Sequence, residues 1–120
     1  MRKEIISIRE AALHVAYKKC ADANSTQLTL SPHFLDRINI RCADPSFTFP
    51  FMVSCVSFAL KNLQKFALKK VMFQKEKDVI ILNVIPSKDR YRITLVTYYE
   101  LYPHPADSKI NADLFYKIPK

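Results

Sequence analysis

Lys70-Val71-Met72-Phe73-Gln74, Val79-Ile80-Ile81-Leu82-Asn83-Val84-Ile85 and Tyr91-Arg92-Ile93-Thr94-Leu95-Val96-Thr97-Tyr98-Tyr99-Glu100 are three short runs rich in β-branched and aromatic residues, parted by charged breaks. That composition predicts three strands, with turns at Lys75 to Asp78 and Pro86 to Arg90. Val79 to Leu82 does not alternate, as expected of a strand covered on both faces. From Tyr91 the pattern alternates instead: Ile93 and Leu95 are expected to point one way, Arg92, Thr94 and Tyr98 the other. The chain contains no glycine, so the turns are expected to be longer loops built on type I geometry. Adjacent runs joined by short breaks predict an antiparallel meander.

Upstream the periodicity changes to that of helices. Ile5, Ile8, Ala12, Val15 and Ala16 recur at spacings of three and four, which predicts a helix over residues 4 to 22. Leu28 to Leu30 reads as a short extended lead-in. Ser31 followed by Pro32 is a helix start, because a serine hydroxyl accepts a backbone N–H at the N-cap and proline's fixed φ suits the first helical position. A second helix is therefore expected from Pro32 to Arg41, with Phe34, Leu35, Ile38 and Cys42 as its stripe. Ala43 to Pro50 holds two prolines and is expected to be a loop. Met52, Cys55, Val56, Ala59, Leu60, Leu63 and Ala67 predict a third helix over Phe51 to Leu68, with Lys61, Lys65 and Lys69 stacked on another face. The whole is expected to be a single α+β domain over 1–120, N-terminal helices packed on a small antiparallel meander, with an irregular proline-containing tail from about 101 to 120.

Composition narrows the function. About eight glycines would be ordinary in 120 residues, and the chain has none. Walker phosphate loops, dinucleotide fingerprints, glycine-flanked nucleophile elbows and EF-hand loops are thereby excluded. Cys20, Cys42 and Cys55 match no zinc-knuckle or CxxC spacing, so reduced thiols are expected, and no metal or cofactor. Cys55 falls on a buried stripe and reads as packing. The longest apolar run, Phe49 to Leu60, is too short and too broken for a bilayer. Charged residues interrupt the first fifteen positions, so neither a signal peptide nor a membrane anchor is expected, and a cytoplasmic protein is.

The formal net charge is +8, which points to an anionic partner, nucleic acid first. Residues 1–60 hold seven basic and five acidic side chains and residues 61–120 hold twelve and six, so the second half carries +6 of the +8. On a helix, His33, Arg37 and Arg41 fall at i, i+4 and i+8 and form one ridge. The positive end of the helix dipole favours a neutral ring at His33, which suits a general base.

The run Leu28-Thr29-Leu30-Ser31-Pro32-His33-Phe34-Leu35-Asp36-Arg37, followed by Arg41, resembles the segment of the RegB endoribonucleases of phages that bears one of their catalytic histidines. Related segments occur in toxins of the BrnT type. The order of elements is also similar to the RelE-like ribonuclease fold, and the local match covers about a tenth of the chain. The resemblance implies a small phage-type or toxin-type protein that binds single-stranded RNA and cleaves it without metal, in the cytoplasm of a host if viral. His33 would be the base, with Arg37 and Arg41 holding phosphate oxygens. RegB enzymes use a second histidine on the next helix. Here that helix has none, the other histidines being His14 and His104, so the acid is left to Lys88, Tyr98 or His104. Arg90, Arg92 and Tyr98 are expected to add charge and a stacking surface from the sheet, and Lys61, Lys65 and Lys69 a phosphate track. Two other readings keep the same residues. One is a non-catalytic host-takeover or inhibitor protein bound to a host protein or nucleic acid. The other is a small subunit of a larger particle. In both, Arg37 and Arg41 pair with Asp36, Asp44 or Glu10, and the lysines form a solvated face.

Overall fold

The computed structural model describes residues 2–23, 26–42, 44–100 and 112–118, and for 2–9 and 41 the backbone alone. Helix α1 spans Arg2–Asp22, strand β1 Gln27–Leu30, α2 Pro32–Arg41, α3 Pro45–Leu60, and a single turn, α4, Leu63–Phe66. Strands β2 (Lys70–Lys75), β3 (Asp78–Ser87), β4 (Arg90–Glu100) and β5 (Leu114–Lys117) follow.

The expected α+β class holds, and α2 has the expected bounds. The all-antiparallel sheet does not hold. Five strands lie in the order β1-β4-β3-β2-β5. The central β2-β3-β4 meander is antiparallel, while both edges pair parallel to their neighbours, β1 with β4 and β5 with β2. The sheet is therefore mixed. Leu28 and Leu30 pair with Ile93 and Leu95, which makes a strand of what reads as a lead-in. Part of the supposedly irregular tail is strand too: Leu114 and Tyr116 pair with Val71 and Phe73. Residues 101–111 lie outside the described residues. Four-residue strands carry almost no pattern of their own, so their tertiary partners decide them.

Two further corrections concern prolines. Residues 45–50 are helical, not loop. Pro45 occupies the first turn, where its missing N–H has no intrahelical partner to lose. Pro50 lies inside the helix. The third helix then ends at Leu60, eight residues earlier than its apolar spacing predicts, where Asn62 Nδ2 donates to the Phe58 carbonyl at 2.9 Å. Pro86 lies within β3, paired with Tyr91, beyond Asn83, where the β2 partners begin. On that stretch it removes no hydrogen bond to β2, and the strand continues to Ser87.

The hairpins are tighter than expected. Their loops are Glu76-Lys77 and Lys88-Asp89, with Lys75 paired to Asp78 and Ser87 to Arg90. Glu76 at φ 54° and Lys88 at φ 47° take the left-handed backbone at the first loop position, where glycine is ordinarily chosen.

All helices cover one sheet face. Ala16 and Cys20 of α1, Phe34 and Ile38 of α2, and Phe49, Met52, Cys55, Val56 and Ala59 of α3 form one buried cluster with Val71, Phe73, Ile80, Leu82, Val84, Ile93, Leu95 and Tyr98. Val79 and Ile81 point to the opposite face and are also buried, as the absence of alternation predicts. A bulge between Ile81 and Leu82 on the register inserts Val96 into β4. One extra residue reverses every later side chain. Tyr98 consequently points into the core with Ile93 and Leu95, not outward with Arg92 and Thr94.

Candidate nucleic-acid interface

Antiparallel pairing brings the start of β2, the end of β3 and the start of β4 to one end of the sheet. Lys70 lies opposite Asn83, Arg92 opposite Ile85 and Arg90 opposite Ser87, while Ala67 bridges to Val84. Lys69, Lys70, Lys88, Arg90 and Arg92 are thus collected at that end. Arg90, Arg92 and Lys70 share the face opposite the helices, by parity with Thr94 and Asn83. Lys61 and Lys65 lie on the turn and the short α4 that lead into Lys69. Together they make a cationic band that passes round the end of the sheet. Lys61, Lys65, Lys69, Lys70, Arg90 and Arg92 are all exposed, and none forms an ion pair among the described residues. Three acids are nearby: Asp89 in the hairpin, Asp22, which lines one recess with Lys61, and Asp113, whose Oδ2 accepts the Lys70 backbone N–H at 2.8 Å.

The opposite end of the sheet is acidic. Asp78 is paired in register with both Lys75 and Glu100, and Glu100 Oε2 lies 3.3 Å from Lys77 Nζ. Asp44, Phe47, Thr48, Glu76, Lys77, Asp78 and Glu100 line a recess of about 250 Å³ there. At its base Thr48 Oγ1 donates to Asp78 Oδ2 at 2.5 Å and Tyr98 Oη donates to Asp78 Oδ1 at 3.0 Å. All three residues are buried. Burial pushes the Asp78 carboxyl above its ordinary range, and the two hydroxyls oppose the shift by solvating the carboxylate. Burial and the neighbouring carboxylate together push the Tyr98 phenol far up, so it stays a neutral donor. This network is a satisfied structural anchor that joins α3 to β3 and β4. The sequence signal for it is a lone acid that opens an apolar strand, at a position that reads as a turn.

The structure separates the predicted site residues. Ser31 caps α2 as expected, its Oγ accepting the Phe34 N–H at 3.0 Å and donating to the Val96 carbonyl at 2.7 Å. His33 is exposed, and Arg37 Nε donates to His33 Nε2 at 3.4 Å, so the first two members of the ridge do meet. Arg41 occupies the expected helical position, with its side chain outside the described residues, as is His104. α2 begins over the middle of β4, and its C-cap, Cys42, stands beside Thr48 and Asp78. The ridge therefore leads toward the acidic end, away from Arg90 and Arg92. Tyr98 is buried and supplies no stacking surface. Lys61, Lys65 and Lys69 belong to a turn, a short helix and a coil, so they are not one helical face; α3 has already ended. Lys70 and Lys88 complete the band, a grouping that only the strand register creates.

Cys20, Cys42 and Cys55 are free thiols. Burial pushes Cys20 up to about 11 and Cys55 well above its ordinary value, which suits packing and not nucleophilic chemistry. Cys42 is raised by burial too, with a hydrogen bond from Thr48 in opposition. Among the described residues no group of three or more His, Cys, Asp or Glu side chains is placed to hold a metal ion, and no helix is long and apolar enough to cross a membrane. No protein-family model, curated protein or solved structure matches the chain.

Proposed function

We propose that this chain binds single-stranded RNA through the cationic band at the Lys70, Arg90 and Arg92 end of its sheet. The observation that carries the reading is the charge separation along the strands. Exposed cations without carboxylate partners gather at one end, while Asp78 is withdrawn into the core and Glu100 is engaged by Lys77 at the other. A polyanion meets cations unpaired among the described residues at the first end, whereas at the second Lys77 is engaged by Glu100 and the recess is lined by Asp44, Glu76, Asp78 and Glu100. The likeness of Leu28 to Arg37 to the RegB segment is what selects RNA among polyanions. Binding without cleavage is the form favoured. His33 has Arg37 as its polar partner, and α3, the helix that follows, carries no histidine to serve as the second acid or base. Phosphates held at the band lie away from that ridge. The test is titration of a labelled single-stranded RNA across salt concentrations, with the products resolved on a gel. Each phosphate neutralised lowers the slope of log affinity against log salt by about 0.7, so a steep negative slope with intact RNA is expected. A flat slope would place the chain among proteins that bind a protein partner, and a cleaved strand with a 2′,3′-cyclic end would restore His33 as a base.

A further inference from the structure

Lysines alone hold a strand by its phosphates and leave its bases unused, yet an aromatic surface lies beside two of them. Phe58, near the end of α3, stacks on Phe66 with ring centroids 5.9 Å apart and planes 20° from parallel. It also meets Phe73 edge-on at 5.6 Å and Tyr116 at 5.0 Å. Phe66 and Phe73 are fully buried, whereas Phe58 is 36% exposed. Burial of a large aromatic at this place was available, since its neighbours achieve it, and Phe58 forms the outer layer of the cluster. Phe66, Phe73 and Tyr116 take part of the ring's surface, and what stays exposed is apolar. Lys61 follows at i+3, the spacing of neighbours on a helix surface. Lys65 Nζ lies 5.8 Å from the Tyr116 ring centroid, so a second cation is fixed over the adjoining aromatic. An exposed ring with one exposed lysine three residues on and a second over the adjoining aromatic, neither of them ion-paired among the described residues, complements an unpaired base flanked by phosphates.

We propose that Phe58 is a stacking site for one unpaired base of single-stranded RNA, with Lys61 and Lys65 on the flanking phosphates. The proposal rests on the RNA-binding reading and deepens it: the strand enters the band along α3 and α4, and the partner is single-stranded because a duplex keeps its base faces covered. Stacking is tolerant of sequence, since every base offers a π-face. It also releases no counterions, which separates it experimentally from the lysines.

The experiment compares wild type and Phe58→Leu against labelled oligouridylate and against the same strand made abasic. Leucine keeps an apolar side chain on Phe66 while removing the π-face, and thermal unfolding of both proteins checks the fold. Wild type is expected to bind the base-bearing strand roughly 5- to 150-fold more tightly than the abasic one. Phe58→Leu is expected to lose that preference while its salt slope stays that of wild type. Wild type that binds both strands equally overturns the stacking site and leaves the electrostatic reading standing, a result independent of how the variant folds. Phe58→Leu that is folded and keeps the preference also overturns it. Wild type that binds neither strand overturns both readings.

Discussion

Leu68 is the clearest case of a residue that local chemistry does not favour. It takes φ 63° and is 79% exposed, so it has left-handed backbone without the burial that would offset it. Its N–H donates to the Val84 carbonyl at 2.8 Å, and that bond, with the Ala67 bridge, is what holds the conformation. A left-handed L-residue costs roughly 1–2 kcal/mol and a glycine's extra unfolded-state freedom returns about half of that. Leu68→Gly is therefore expected to raise stability by about 0.5–1 kcal/mol, read from the urea midpoint. Asp78 is the opposite case, favoured by contacts and disfavoured by burial. Its folded carboxyl lies above the unfolded one, so between the two values the native state binds more protons, and stability falls as pH rises through that window. Denaturant titrations from the ordinary carboxylate range upward should show this decline, and Asp78→Asn should flatten it. Asp78→Ala leaves the Thr48 and Tyr98 hydroxyls buried without their acceptor, at a cost of about 2–4 kcal/mol at neutral pH. A stability for Asp78→Ala equal to that of Asp78→Asn would show that the network anchors nothing.

Between elements, Ser31 does two jobs with one oxygen: it caps α2 and ties the cap to Val96, the residue that the β4 bulge adds. Ser31→Ala is expected to cost about 1–2 kcal/mol, measured by thermal unfolding, and Ser31→Asp to recover the cap but not the bond to the Val96 carbonyl. The start of α2 was legible because Ser-Pro is a signal confined to two adjacent residues. The central strands were legible for a similar reason, as continuous β-branched runs. What sequence did not show depends on partners far along the chain. β1 and β5 are strands because Ile93, Leu95, Val71 and Phe73 stand beside them. Residues 45–50 are helical although a proline at each end reads as a breaker. The bulge at Val96 is invisible in an alternating run, and it alone sends Tyr98 inward. That one residue moves an expected RNA contact into the core and makes it the donor on Asp78. The candidate interface shares this property: Lys70 and Arg92 are 22 positions apart in sequence, and register brings them to one end.

At the scale of the molecule the net charge of +8 is less informative than its direction. Neutralising the same number of charges at the two ends of the sheet changes the total equally, so a protein that merely attracts polyanions responds equally to both. Lys69→Gln with Arg92→Gln removes two cations from the band. Lys75→Gln with Lys77→Gln removes two from the acidic end, where Lys75 Nζ lies 5.6 Å from the Phe47 ring centroid and Lys77 pairs with Glu100. Lys69, Lys77 and Arg92 are exposed and Lys75 is half-buried; exposed positions change stability by about 0.5 kcal/mol or less, and loss of the Lys75 contact with Phe47 adds about 0.5–1 kcal/mol, so both double variants are expected to fold. If the band is the interface, the first pair should lower affinity for single-stranded RNA and reduce the salt slope by about 1.4, two phosphates at roughly 0.7 each. The second pair should leave the slope unchanged, because no phosphate is neutralised at that end. Its effect on affinity should be small and fade as salt screens the long-range field over a Debye length of about 10 Å. Equal slopes for the two double variants would mean that RNA reads total charge and that the arrangement along the strands has no part in binding.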